Sequence, residues 1–97
     1  MNDGPQRLRI AAHNPLAETA YMRFEDVPNP GRKTRRITVF NKSGGYPLGY
    51  IHWHGAWRQY VFEPEAATIF NVECLASLAD RVGYLNTMHR AGRDEHA

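Results

Sequence analysis

Between Leu48 and Pro64 the chain places aromatic and β-branched residues at alternating positions on either side of a Gly-Ala pair, a pattern that an antiparallel hairpin satisfies and a helix does not. One strand is expected over Leu48 to His54 and the next over Trp57 to Glu63, stopped by Pro64. Gly55-Ala56 then serves as a two-residue turn, with Gly supplying an unusual φ. That turn sets His54 opposite Trp57, Trp53 opposite Arg58, Ile51 opposite Tyr60 and Gly49 opposite Phe62. One face carries Ile51, Trp53, Arg58, Tyr60 and Phe62, and is assigned to the core as the more apolar. Arg58 is its misfit, either snorkelling at the sheet edge or stacking on Trp53. The other face carries Tyr50, His52, His54, Trp57, Gln59 and Val61. Either the segment 18–25 covers this second face, or it is an exposed patch that binds a partner.

The flanking segments complete an α+β fold, a small antiparallel β-meander of three to four strands against one C-terminal helix. Ile37-Thr-Val-Phe40 suits a pleated surface, and Asn41 to Pro47 is dense in turn residues. Residues 18–25, with Tyr21, Met22 and Phe24, suit either a strand, such as an edge strand of the sheet, or a short helical turn after Pro15; the strand is favoured, with 26–35 as a loop broken by Pro28 and Pro30. Asn71 is an N-cap residue with Glu73 in the following turn. Phe70 and Leu75 fit a hydrophobic staple. Leu75, Leu78, Ala79, Val82 and Leu85 recur at helical spacing and are expected to face the sheet. Gly83 suggests close approach to a sheet aromatic, and Gly92 a helix C′ position. The chain is read as a single domain over 1–97, with a flexible lead at 1–15, the sheet at 18–64, the helix at 71–91 and a polar tail at 92–97.

Composition bounds the function. The 97 residues support one core, and a formal charge of +2 imposes no nucleic-acid partner. One cysteine, Cys74, excludes an internal disulfide and suits a reducing compartment. No apolar run is long enough to cross a membrane, and Met1 to Ile10 lacks the apolar stretch of a signal peptide, so a cytoplasmic location is expected. Charge is unevenly spread, with Arg32, Lys33, Arg35 and Arg36 within five positions. A basic loop of this kind is most simply a solvated face, or else meets phosphates or an acidic surface.

No catalytic signature emerges. His52 and His54 form an H-x-H pair, but Cys74 and His89 stand at opposite ends of the helix and cannot join them in one tetrahedral zinc site. Ser43, Ser77 and Cys74 lack the base and orienting group that a nucleophile needs. Cys74 reads as a small apolar residue under the first helical turn. No metal and no cofactor are expected, and the chain is read as no enzyme.

The positions Leu48, Gly49, Ile51 and Trp53, then Trp57, Arg58, Tyr60, Phe62 and Pro64, then Thr68, Phe70, Cys74 and Leu75 form a distinctive pattern. Over about residues 36–90 the chain resembles a group of small proteins from bacteriophages, prophages and actinobacterial mobile elements. The resemblance implies a phage or mobile-element origin and assigns no chemistry. Together these readings predict a non-enzymatic accessory protein that binds and modulates a host protein, with an inhibitor of host defence such as an anti-CRISPR as one candidate. Tyr50, His52, His54, Trp57 and Gln59 are the expected partner-binding residues. The alternative is a nucleic-acid-binding protein using Arg32, Lys33, Arg35 and Arg36 beside the aromatic sheet face.

Overall fold

A computed structural model of the protein describes residues 18–93. The expected flexible lead at 1–15 and the end of the tail at 94–97 lie outside the described residues. Strands β1 (Met22–Val27), β2 (Arg36–Asn41), β3 (Pro47–His54) and β4 (Gln59–Pro64) are followed by helix α1 (Val72–Arg90). The strands form one antiparallel sheet in sequence order, β1-β2-β3-β4. Four antiparallel strands and a C-terminal helix are the α+β meander expected from the sequence. Among the described residues no helix is long and apolar enough to cross a membrane.

Alternation decides the faces. Met22 and Phe24, Ile37 and Val39, Ile51 and Trp53, and Tyr60 and Phe62 share the face that α1 covers. Met22, Val39 and Ile51 there have no exposed surface, and Tyr60 is only 1% exposed. The segment read as 18–25 contains the start of β1, which begins four residues later than expected, at Met22, and ends two residues later, at Val27. It extends the sheet at its edge, beside β2, and does not lie over the second face.

The β3–β4 hairpin corrects the expected register. His54 opposes Gln59, Trp53 opposes Tyr60, Ile51 opposes Phe62 and Gly49 opposes Pro64. The loop is the four residues Gly55 to Arg58, closed by the Arg58 N–H donating to the His54 carbonyl at 2.8 Å. Arg58, not Gly55, takes the left-handed conformation, at φ 54°. Trp57 and Arg58 therefore belong to the loop, and both are exposed. The slip is by two residues, which preserves every other facing, because side chains alternate with period two.

A second irregularity lies between β2 and β3. Val39 opposes Gly49 while Phe40 opposes Pro47, so Leu48 is the extra residue of a bulge. The bulge turns Leu48 inward, and Leu48 and Gly49 are buried in succession. Gly49 is there for space: a Cβ on it would stand 2.6 Å from the Glu63 carbonyl oxygen and 2.6 Å from the Phe62 ring.

Helix α1 begins where Asn71 Oδ1 accepts the Cys74 N–H at 2.8 Å. It ends in a Schellman motif, Gly92 at φ 73° donating to His89 and Arg93 donating to Met88. Its inward line is Cys74, Leu78, Arg81 and Leu85. The expected line included Leu75 and Ala79, which are exposed, and Val82, which is half-buried. Phe70 is pinned edge-on against Phe62 of the sheet, at 5.5 Å, and Leu75 remains half-exposed. Gly83 meets no sheet aromatic, since nothing stands within 4 Å of where its Cβ would be. The rotation follows from Arg81, whose stem packs as an apolar residue. Its guanidinium lies 3.5 Å from the centre of the Phe24 ring. Burial, with Arg35 nearby, lowers its pKa to about 10, opposed by Asp26 and Asp80, and leaves it protonated at neutral pH.

Two substitutions test this packing by urea unfolding. Gly49→Ala forces the Glu63 backbone or the Phe62 ring aside and is expected to lower stability by about 2–3 kcal/mol. Arg81→Lys keeps the charge but loses the planar stack on Phe24, an expected loss of about 1 kcal/mol.

Candidate functional site

The face opposite α1 carries Arg23 and Glu25, Arg36, Thr38 and Phe40, then Tyr50, His52 and His54, and finally Gln59, Val61 and Glu63. None of these is buried, and among the described residues no helix or strand packs on them. Four of the five expected partner-binding residues, Tyr50, His52, His54 and Gln59, lie on this open face. The fifth, Trp57, sits at the tip of the hairpin loop and is 65% exposed. Its ring stacks on His54, at 4.6 Å between centroids and 6° between planes, and so extends the open face beyond the strand ends.

Polar contacts order this surface. His52 Nε2 donates to Glu63 Oε1 at 2.8 Å, and His52 Nδ1 lies 3.2 Å from the Trp53 carbonyl oxygen. The Tyr50 hydroxyl donates to Glu65 just beyond β4. That bond raises the Tyr50 pKa above its ordinary value of 10.0, with smaller contributions from desolvation and from the charge of Glu65. Arg23 pairs with Glu25 at 2.7 Å and also lies over the Phe40 ring at 4.4 Å.

The basic loop divides. Asn29, Pro30, Gly31 and Arg32 form a turn in which the Arg32 N–H donates to the Asn29 carbonyl at 3.2 Å. Pro30 presets its first corner, and Gly31 takes φ 78° at the second, as a type II turn requires. Asn29 Nδ2 then donates to the Thr34 carbonyl at 2.8 Å and closes the loop on itself. Arg35 leaves this loop for the covered side. Its guanidinium holds Asp26 through two bonds, Nε to Oδ1 at 3.1 Å and NH2 to Oδ2 at 2.7 Å. Its backbone N–H donates to the Tyr60 hydroxyl at 2.9 Å. Arg32 and Arg36 instead line an open hollow of about 350 Å³ with Asn29, Thr34, Tyr50, His52, Trp53 and Glu63. Lys33 is exposed beside them without lining the hollow.

The structure therefore joins two sets of candidates that the sequence holds apart. Tyr50 and His52 meet Arg32 and Arg36, while Arg35 is committed to Asp26. Sequence reasoning missed Asn29, Thr34 and Glu63, although Asn29-Pro-Gly is a recognisable turn signal. It also missed a second hollow of about 390 Å³ at the other end of the sheet, where Tyr21, Tyr46 and Ile69 are among the exposed linings. His89 packs against Trp53 on the covered side, 4.2 Å between ring centroids, away from His52 and His54. Cys74 is buried and carries a free thiol. Among the described residues no group of three or more His, Cys, Asp or Glu is placed to hold a metal ion.

Fold and site together define a small α+β protein with one sheet face covered by the helix and the other, among the described residues, open, with aromatic and basic side chains at one end of it. The chain is similar to an uncharacterized 9.3 kDa protein of Acholeplasma phage L2, 37% identical over 70 residues that span 72% of this chain and 90% of the phage protein. It belongs to the family of that small phage protein. No family model matches the chain, and no solved structure matches it.

The Tyr50–Glu65 bond has a pH signature. A phenol with a raised folded pKa contributes stability in full below the unfolded value, and that contribution is lost as pH rises through the folded value. The Tyr50 ring signals, followed by NMR, are expected to titrate above pH 10 in the native protein and at lower pH in Glu65→Ala.

Proposed function

We propose that this phage-family protein is a non-enzymatic accessory protein that binds a host protein through its open sheet face. The observation that carries the reading is the uncovered end of that face, where Trp57 stacks on His54 next to Tyr50 and the arginines of the loop. Trp, Tyr and Arg are the residues on which binding energy concentrates at protein interfaces. Trp57 also adjoins a residue in an uncommon backbone conformation, Arg58 at φ 54°. Strain of this kind, of order 1–3 kcal/mol, persists where the surroundings enforce it and gathers at functional sites.

The charge pattern favours a protein over a nucleic acid. Glu25 and Glu63 stand among Arg23, Arg36 and His52, and Glu65 adjoins Tyr50. A polyanion laid along this face would meet those carboxylates, whereas a protein surface of mixed charge can complement them. Action in the cytoplasm of a bacterial host fits the single free cysteine. Blocking a defence complex such as CRISPR requires occupancy of a protein surface and no turnover, which is the role this reading favours.

Tagged protein incubated with nuclease-treated host lysate is expected to recover a host protein in stoichiometric amount. Trp57→Ala should reduce that recovery at least tenfold, with an unchanged far-UV spectrum. No stoichiometric protein, or recovery indifferent to Trp57→Ala, would overturn the reading. A salt-dependent gel shift of DNA or RNA, lost on replacing Arg32, Lys33 and Arg36 by Ala, would replace it with the nucleic-acid alternative.

A further inference from the structure

The cations of the sheet and its loops are used in two ways. Arg23 has Glu25, Arg35 has Asp26 and Lys42 has Glu18, each at 2.7 Å. Arg32 and Arg36 form no ion pair with any other described residue, yet both line the same hollow. The carboxylate in that lining, Glu63, is engaged by His52 at 2.8 Å. The hollow thus holds two guanidinium groups and no carboxylate paired with either.

It is also built rather than incidental. Arg36 issues from β2, opposite Val27, and its position is fixed by the sheet. Arg32 issues from the Pro30-Gly31 turn, which Asn29 ties to Thr34. Two arginines on separately ordered backbone lose little freedom when they close on a ligand, because each guanidinium fork is planar and preformed. Such forks match carboxylate and phosphate oxygens through paired N–H bonds. A volume of about 350 Å³ is ample for one side chain and its flanking backbone, at the small end of ligand pockets.

We infer that this hollow is an oxyanion pocket in which Arg32 and Arg36 hold a carboxylate side chain of the protein partner. The inference rests on the partner-binding reading of the same face and supplies its chemistry, an acidic surface segment. Glu25, Glu63 and Glu65 favour a discrete carboxylate over a continuous phosphate backbone, since an isolated acidic side chain reaches the arginines without passing along them. Trp57 stands outside the lining, so the two contributions separate by mutation.

The test titrates the full chain at low salt with hexaglutamate, followed by the Nε–H signals of the arginines in ¹H–¹⁵N spectra. A six-nucleotide oligothymidylate and sodium acetate are run in parallel. Hexaglutamate is expected to shift Arg32 and Arg36 saturably. Arg32→Gln and Arg36→Gln should each weaken binding about tenfold, the scale of a charge-assisted hydrogen bond. Lys42→Gln, which removes a cation paired with Glu18 and absent from the hollow's lining, should leave it unchanged. Acetate should shift the same two signals at higher concentration. Both arginine variants replace exposed side chains, and intact sheet amide signals confirm their fold. Absence of a saturable shift, binding unaffected by either arginine variant, or tighter binding of the oligothymidylate than of hexaglutamate would each overturn the inference. Lysate capture that depends on Trp57 but survives both arginine variants would remove the pocket and leave the partner-binding reading standing.

Discussion

The contacts of Tyr60 join every part of the molecule that the open face depends on. Its hydroxyl accepts the backbone N–H of Arg35, at the end of the basic loop. Its own backbone N–H donates to Asn86 Oδ1 on the helix, at 2.7 Å. Its ring meets Trp53 edge-on at 5.5 Å, and His89 at 6.3 Å. Tyr60 therefore links strand β4, strand β3, helix α1 and the base of the loop. A buried phenol needs a partner for its oxygen, and the loop provides one. This is how packing on the covered side comes to fix Arg32 and Arg36 on the other.

Much of this was legible from alternation alone. The sequence placed Ile51, Trp53, Tyr60 and Phe62 on one face and Tyr50, His52, His54 and Gln59 on the other, and both sets stand. The pairing within the hairpin was displaced by two, since Gly55-Ala56 resembles a tight turn and nothing marks Arg58 as the residue that turns left-handed. A four-residue loop is recognised by backbone hydrogen bonding, which a string of side chains does not carry. The error removed its own anomaly: Arg58, an awkward charge on the core face in the shorter loop, is simply exposed in the longer one.

The helix shows a different limit. Its caps were readable because Asn71 and Gly92 each have a strong local reason to be where they are. Its rotation differs from the expected one because a stripe drawn through apolar residues alone leaves out Arg81, which is buried. An arginine whose guanidinium finds an aromatic face can occupy a core position, and its partner Phe24 is 57 residues away in sequence. Once Arg81 faces inward, Leu75 and Ala79 must turn outward, by the geometry of 3.6 residues per turn. Long-range side-chain pairing thus sets the phase of an element whose limits are set locally.

The same distinction explains the candidate site. Four basic residues in five look equivalent along the chain, and only the fold separates them. Arg35 falls opposite the edge-strand carboxylate of Asp26 and beneath Tyr60, so its charge is spent on holding the loop. Arg32 and Arg36 fall where the sheet offers them no carboxylate of their own. Among the described residues Arg23, Arg35 and Lys42 have carboxylate partners, and Arg32 and Arg36 stand around a hollow without one. The likeness to the phage protein gives the family, and Arg32 and Arg36 around their hollow are the observation on which the proposed oxyanion pocket rests.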